Sequence, residues 1–530
     1  MPPDADDVLV IGAGHNGLAA AAYLARAGLR TRVLERRDRV GGACVTEELS
    51  PGFRNSRAAY VAGLLRPALI RELSLERHGL TLLRRDPSSF TVTPDGASLL
   101  LGSDAAANRE AIRPFSARDA ERYGEYEAFL DRVARVLEPL LDAPPPDPLR
   151  PRPGDLRPLL RAVRAAFRAR RDVGEALSLL LGPARSALER WFESEPLRGT
   201  LGTDAIIGAF ASPATPGTGY VLFHHVMGET FGARGVWAYV RGGMGELGES
   251  LARAARAAGA VIELEAPVAS VGVESGRATG VRLADGRELP ARTVLSCADP
   301  QRTFLGLVGR EHLPDAFVDG IEALDFRSPS LKINWALDRI PRFRARPGDG
   351  VGPHHHGTIH LGATSLDQLD ASFRAADAGA LPERPMVEIT IPSSLDDSLA
   401  PEGQHVAGAF VQHVPHGWSG ADWDPHRDAF ADRVESLVEE VAPGFAASVV
   451  AREVLAPPDL ERIFGLTGGN IFHGAMTLDR LAFLRPLPGW ARHRTPVEGL
   501  YLCGAGAHPG GGVMGACGRN CASVVLADRR

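Results

Sequence analysis

Residues 8–42, VLVIGAGHNGLAAAAYLARAGLRTRVLERRDRVGG, restrict this chain more than any other stretch. Val8–Ile11 is a short apolar run suited to a buried parallel strand. Gly12, Gly14 and Gly17 follow as G-x-G-x-x-G, and a helix is predicted from residue 18 to about 27, ended by Gly28. Thr31–Leu34 then reads as a second strand with Glu35 at its end, completing a β-α-β unit. Gly12 permits the tight turn, Gly14 lets the backbone approach a pyrophosphate, and Gly17 lets helix and strand pack closely. The helix N-terminus supplies free N–H groups and the positive end of a dipole for phosphates. Glu35 is spaced to accept from a ribose 2′-OH, which disfavours a 2′-phosphate. The unit therefore predicts a dinucleotide site suited to FAD or NAD rather than NADP.

At 530 residues the chain exceeds one ordinary core, so two or more domains are expected. Its 44% hydrophobic and 23% charged residues are ordinary for a globular protein. A net charge of -6 gives no reason to expect nucleic acid as a partner. MPPDADD at the start has no basic region followed by an apolar one, and no apolar run is long enough to span a membrane. The expectation is a cytoplasmic protein, with peripheral membrane contact left open and oligomeric state undetermined. Five cysteines without C-x-x-C argue for a reducing compartment and against a disulfide redox pair. Cys517 and Cys521, four apart, read as small buried residues on one helical face.

The C-terminus repeats the strand, glycine loop and helix arrangement. Residues 500–503 read as a strand, Gly504 to Gly512 as a glycine-rich loop, and Val513 or Met514 as the start of a helix. So many glycines beside a buried strand suggest a ligand approaching the backbone. A second G-x-G-x-x-G at Gly243, Gly245 and Gly248, with Glu263 beyond it, has two readings. It opens either a separate NAD(P) domain or one more segment of the first domain. The apolar segments that follow, to about residue 297, look like a β-meander and a strand returning to the first sheet, which favours a single dinucleotide site.

Other motifs are IGAGHNGL at 11–18, Gly41-Gly42 within VGGACVTEE, PGF at 51–53, FESEPL at 192–197, HHVMGE at 224–229, GGNIFHGAM at 468–476 and CGAGAHPGGGVMG at 503–515. Together they resemble the phytoene-desaturase-like FAD oxidoreductases over nearly the whole chain. The resemblance implies FAD as cofactor and an α/β fold: a discontinuous Rossmann-like FAD-binding domain of the glutathione-reductase and amine-oxidase type, with an inserted α+β substrate domain. It places the FAD domain at 1–65, 235–300 and 490–530 and the substrate domain at 66–234 and 301–489. By resemblance, Glu35 and its neighbour Arg36 lie at the dinucleotide, and Gly41 and Gly42 pack on the pyrophosphate. Gly243 and Met244 touch the flavin side, and the Val268 backbone passes near the adenine. The helix after Gly512 and Val513 faces the flavin pyrimidine, where it would stabilise negative charge.

Lys332, in SPSLKINWALD, is the only lysine in the chain. A site needing a compact ammonium or a tunable amine would resist replacement by arginine. Alternation puts Leu331, Ile333, Trp335 and Leu337 on one strand face and Lys332, Asn334 and Ala336 on the other. In amine oxidases of this architecture a strand lysine reaches a water at flavin N5; by that resemblance Lys332 is a catalytic candidate, against a lysine facing solvent. His225, beside His224, and His473 are the other candidates, as acid or base, against hydrogen-bonded core histidines. His354, His355, His356 and His360 crowd a Gly/Pro loop without a nearby carboxylate, so no metal is expected. Residues 144–154 form a proline-rich linker. The basic segment after it carries Leu159, Leu160, Val163 and Phe167 in helical register, either packed on the domain or lying on an acidic membrane.

The leading expectation is an FAD-dependent oxidoreductase that desaturates a C–C or C–N bond of a fairly apolar small molecule. The rivals are a flavin-dependent polyene isomerase or saturase, and an FAD-stabilised interaction protein with little turnover.

Overall fold

A computed structural model describes residues 6–93, 95–147, 151, 153–168 and 170–529. Within the proline-rich segment 144–154, residues 148–150 and 152 lie outside the described residues.

A five-stranded parallel sheet is assembled from three distant parts of the chain. Its order is Val261–Glu263, Thr31–Leu34, Val8–Ile11, Val294–Ser296, Leu500–Leu502. The pairings Val10 with Val33, Val10 with Leu295 and Leu295 with Tyr501 fix the register. All of these strands but the edge strand Val261–Glu263 are almost continuously buried, as expected where helices cover both faces. The first helix spans His15–Arg26, three residues earlier than its apolar pattern predicts. Gly14 takes the extended conformation of an N-cap, so His15, Asn16 and Gly17 form the first turn. A Cβ on Gly17 would sit 2.2 Å from the Gly12 carbonyl oxygen, and one on Gly518 would sit 2.0 Å from the Asn16 carbonyl oxygen. Glycine at both positions lets the helix lie against its strand and against helix Ala516–Asp528.

The second glycine motif does not open a separate nucleotide domain. Gly243 caps helix Met244–Ala257, which leads into Val261–Glu263 at the edge of the same sheet. An antiparallel meander follows (Val268–Glu274, Arg277–Leu283, Glu288–Pro290), and the chain then returns to the sheet as Val294–Ser296.

The second large element is a seven-stranded, mostly antiparallel sheet. Its order is Val449–Leu455, Ser330–Leu337, His405–Gln412, Met386–Thr390, Thr358–Leu361, Ser89–Val92, Ser98–Leu101. Leu331, Ile333, Trp335 and Leu337 share a core with Phe430, Val434 and Val438 of helix Arg427–Val441. Burying each such side chain contributes roughly 1.5–3 kcal/mol, so this face is firmly held. The opposite face is buried too: strands Thr46–Ser50 and Phe53–Ser56 and the chain after them cover it around Lys332, and residues 195–208 cover it farther along. One cavity lies between that cover and the two sheets.

Candidate active site

A cavity of about 620 Å³ runs from the carboxyl ends of the parallel strands to the polar face of the seven-stranded sheet. Its position at the strand ends is where open α/β sheets bind ligands.

At the parallel-sheet end, two glycine turns meet. The Gly41 N–H donates to the Ala13 carbonyl at 2.8 Å, and Gly14 and Gly41 form a parallel bridge. A Cβ on Gly42, at φ +61, would come within 3.1 Å of the Gly14 Cα. This end of the cavity is therefore walled by bare backbone. His15 and Asn16, also in the lining, belong to the first helical turn, whose N–H groups have no intrahelical acceptor. Glu35 accepts from the Ala13 N–H at 2.8 Å and the Arg37 N–H at 3.0 Å, which aims its carboxylate along the same wall. Bare backbone, free N–H groups and a fixed carboxylate suit the pyrophosphate and ribose of a dinucleotide. Val268 lines the cavity beyond Glu35. Arg36 lines it as well, but its guanidinium donates to the carbonyls of Arg462 and Ile463 and so ties that segment to the rim.

Gly512 and Val513 border the middle of the cavity, both at positive φ. A side chain at Gly512 would press within 2.5 Å of Leu64. The last helix begins at Ala516 behind Gly515, not at Val513 or Met514, because the chain is still turning in left-handed conformations through 515.

Five residues that sequence reasoning assigned to the cofactor do not line the cavity. Gly243 and Met244 lie behind the wall, where the Met244 N–H donates to Ser56 Oγ at 2.9 Å and Met244 packs in the core. A Cβ on Gly243 would meet Thr46 and Ser56 rather than open space. Gly17 and Gly41 serve close packing, and a Cβ on Gly504 would lie 2.4 Å from the Cys297 carbonyl. These last three shape the cradle without facing it.

Lys332, His225 and His473 all reach the cavity. Lys332 is 3% exposed, which excludes the solvent-facing alternative. Its Nζ donates to Asn334 Oδ1 at 2.9 Å and lies 5.4 Å from the centre of the Tyr60 ring. Gly408 on the adjoining strand leaves room for the amine, since a Cβ there would be 2.3 Å from Nζ. Burial lowers the Lys332 pKa from the ordinary 10.5 to about 7, with Glu453 opposing the shift. His225 uses Nδ1 toward the carbonyls of Val221 and Asp204, and burial lowers its pKa to about 4. His473 sits at φ +59 in a turn held by Asn470, whose Oδ1 accepts from the N–H groups of Phe472 and Gly474. Its Nδ1 has no hydrogen-bond partner, and burial lowers its pKa as well. Both imidazoles are therefore neutral near pH 7.

Sequence reasoning missed Tyr60, which lies beside Lys332, and Arg85, Asp204 and Glu388, which line the same cavity farther along. Glu388 left one signal: it is the only acid in Met386–Thr390, a strand buried throughout. His360, read within the histidine-rich loop, lies on Thr358–Leu361 and faces the cavity, while His354 and His355 pack against Phe343.

Comparison with known proteins agrees with this geometry. The model of the flavin containing amine oxidoreductase family matches residues 17–526. Pyridine nucleotide-disulfide oxidoreductase domain-containing protein 2 of Mus musculus is 51% identical, covering 98% of this chain and 93% of that one. Hydroxyneurosporene desaturase of Cereibacter sphaeroides is 31% identical, covering 98% and 97%. The structure of a putrescine oxidase bound to putrescine superposes with a TM-score of 0.63 at 18% identity over 99% of this chain and 98% of that one, a likeness of fold. The chain belongs to the flavin-containing amine oxidoreductases, in their phytoene-desaturase-like branch, and is an FAD-dependent oxidoreductase.

Proposed function

We propose that this protein oxidises a C–C or C–N single bond of a largely apolar small molecule to the unsaturated product, passing the electrons to oxygen or a quinone. The observation that carries the reading is the continuity of one cavity from the glycine cradle to the Lys332 strand. Bound FAD supplies the two-electron acceptor. Gly12, Gly14, Glu35 and Gly42 hold its dinucleotide portion, and Gly512 and Val513 border the space beyond. Leu64, Phe410, Ile471 and Phe472 give the remaining wall enough carbon for an apolar substrate. Lys332, with a pKa near 7, changes charge readily at the cavity wall and can hold a water or a proton at Nζ.

The same reading gives helix Leu156–Arg168 a role. Leu156, Leu159, Leu160, Val163 and Phe167 are exposed along it, flanked by Arg157, Arg161 and Arg164. Apolar and basic faces on one exposed helix suit an anionic bilayer surface, from which a lipophilic substrate would enter. Among the described residues no helix is long and apolar enough to cross a membrane.

The test is anaerobic incubation of the FAD-loaded protein with a fractionated lipid extract, followed optically and by mass spectrometry. Bleaching of the flavin band together with a product lacking two hydrogen atoms is expected. A product of unchanged mass would replace this reading with isomerisation. Absence of any bleaching or product across all fractions would favour a non-catalytic role.

A further inference from the structure

The polar face of the seven-stranded sheet carries a row of side chains set by strand register. Lys332 pairs with Phe410, Phe410 with Glu388, Glu388 with His360, and His360 with Thr91. Each step is one strand, about 4.8 Å, so Glu388 lies about 10 Å along the sheet from Lys332. Tyr60 bridges the interval. Its ring lies beside Phe410 with centroids 5.9 Å apart, and its hydroxyl donates to Glu388 Oε2 at 3.0 Å. A second carboxyl, Asp204, enters the same space from the end of helix Glu195–Thr203.

Glu388 interacts with the hydroxyls of Tyr60 and Thr203, and among the described residues neither carboxyl is ion-paired with a lysine or arginine. The nearby cation is Arg85, which is committed elsewhere: to the His356 carbonyl at 3.2 Å, to Thr358 Oγ1 at 2.6 Å and to the face of Tyr239. His360 Nδ1 is 3.7 Å from Glu388 Oε1, too far for a hydrogen bond, and has no hydrogen-bond partner although the side chain is 7% exposed. Burial holds the His360 pKa down near 3, so the ring is neutral and contributes no charge. Burial also raises Glu388 to about 7 and Asp204 well above the carboxylate range, the latter with a further push from Glu388. Two buried carboxyls and an orphaned imidazole facing one cavity leave hydrogen-bonding capacity that a ligand can complete. If both carboxyls ionise, Arg85 balances one charge and a second positive charge is missing.

We propose that Glu388 and Asp204, with His360 beside them, bind a protonated amino group at the far end of the substrate, about 10 Å from the Lys332 end where oxidation takes place. This rests on the reading above and adds a substrate class: an apolar molecule with a cationic group remote from the bond that is oxidised. An ammonium offers three N–H donors, enough for Glu388, Asp204 and His360 Nδ1 together. Its charge restores balance with both carboxyls ionised, so binding releases protons. The sheet register makes the distance a fixed ruler that selects which bond is presented.

The probes are n-octylamine, n-octanol and octanoate, titrated into the FAD-loaded protein. Binding is read from the flavin spectrum and, independently, from the shift in Tm. Octylamine is expected to bind at least about tenfold more tightly than octanol, the usual worth of hydrogen bonds to charged groups, with octanoate weakest. Glu388→Gln and Asp204→Asn should each lower that preference while leaving the FAD content unchanged. Octylamine titrated in two buffers of different ionisation enthalpy should report proton release by the unaltered protein, which needs no variant to fold. Equal binding of octylamine and octanol, tighter binding of octanoate, or a preference that survives both substitutions would overturn the proposal. A selective Tm shift in protein that carries no flavin would keep the anchor and defeat the cofactor reading. Bound flavin without selectivity would do the reverse.

Discussion

Lys332 is the residue whose environment makes the sharpest demand. The unfolded chain keeps its ammonium up to about pH 10.5, the folded protein only to about 7. Between those values unfolding takes up a proton, so this residue makes stability rise with pH across that window; below about 7 the full cost of burying the charge is present. Lys332→Met should therefore be more stable than the parent at neutral pH and lose that slope, measured by urea unfolding at a series of pH values. The same change should slow reoxidation of the reduced holoprotein by oxygen about tenfold or more, the size of a lost preorganised charge. Greater stability with unchanged reoxidation would make the lysine a buried bystander. Its isolation in the composition made it visible in the sequence. Glu388 was not, because one acid in a buried strand acquires meaning only from Tyr60, His360 and Asp204, which lie at distant points in the chain. Gly243 and Met244 show the opposite failure: a glycine motif of the right spacing turned its backbone toward Thr46 and Ser56 instead of a ligand.

Elements were legible where periodicity and capping agreed. The first β-α-β unit, the meander and the strand around Lys332 follow from local pattern alone. The last helix starts later than its sequence suggests because Val513 and Gly515 adopt left-handed backbone, a cost that local propensity does not reveal. Helix Leu156–Arg168 was legible as amphipathic, but which side would face outward was not. It packs on helix Ala117–Leu141 and buries Ala162, leaving its larger apolar side chains outside, continued by Val173, Leu177 and Leu181 of helix Val173–Leu181. Replacing Leu159, Val163 and Phe167 with Asp should reduce co-sedimentation with phosphatidylglycerol-containing vesicles about tenfold or more, since each loses apolar burial and adds repulsion. The fold should survive, because all three are exposed. Binding that is absent in the parent, or unaltered in the variant, would remove the membrane from the account.

At the scale of the whole molecule, the sheet that builds the cradle draws strands from residues 8–34, 261–296 and 500–502. Neither end of the chain can complete the site without the other. A dinucleotide site could be read in advance because the glycine loops at both ends are local features, and the motif resemblance then implied FAD and the fold class. The shape and polarity of the substrate space could not, because they arise from register in a sheet assembled from segments hundreds of residues apart. The central claim is that the two glycine turns around Gly14 and Gly42 form the dinucleotide cradle of an FAD enzyme. It is tested most directly by releasing flavin from purified protein by denaturation and identifying it, for the parent and for Gly42→Val. A side chain at residue 42 would press on Gly14 from a backbone conformation that valine resists. The account expects one FAD per parent chain and little or none in a folded Gly42→Val protein. A colourless parent that fails to take up added FAD, or a Gly42→Val variant that holds FAD as tightly as the parent, would contradict it.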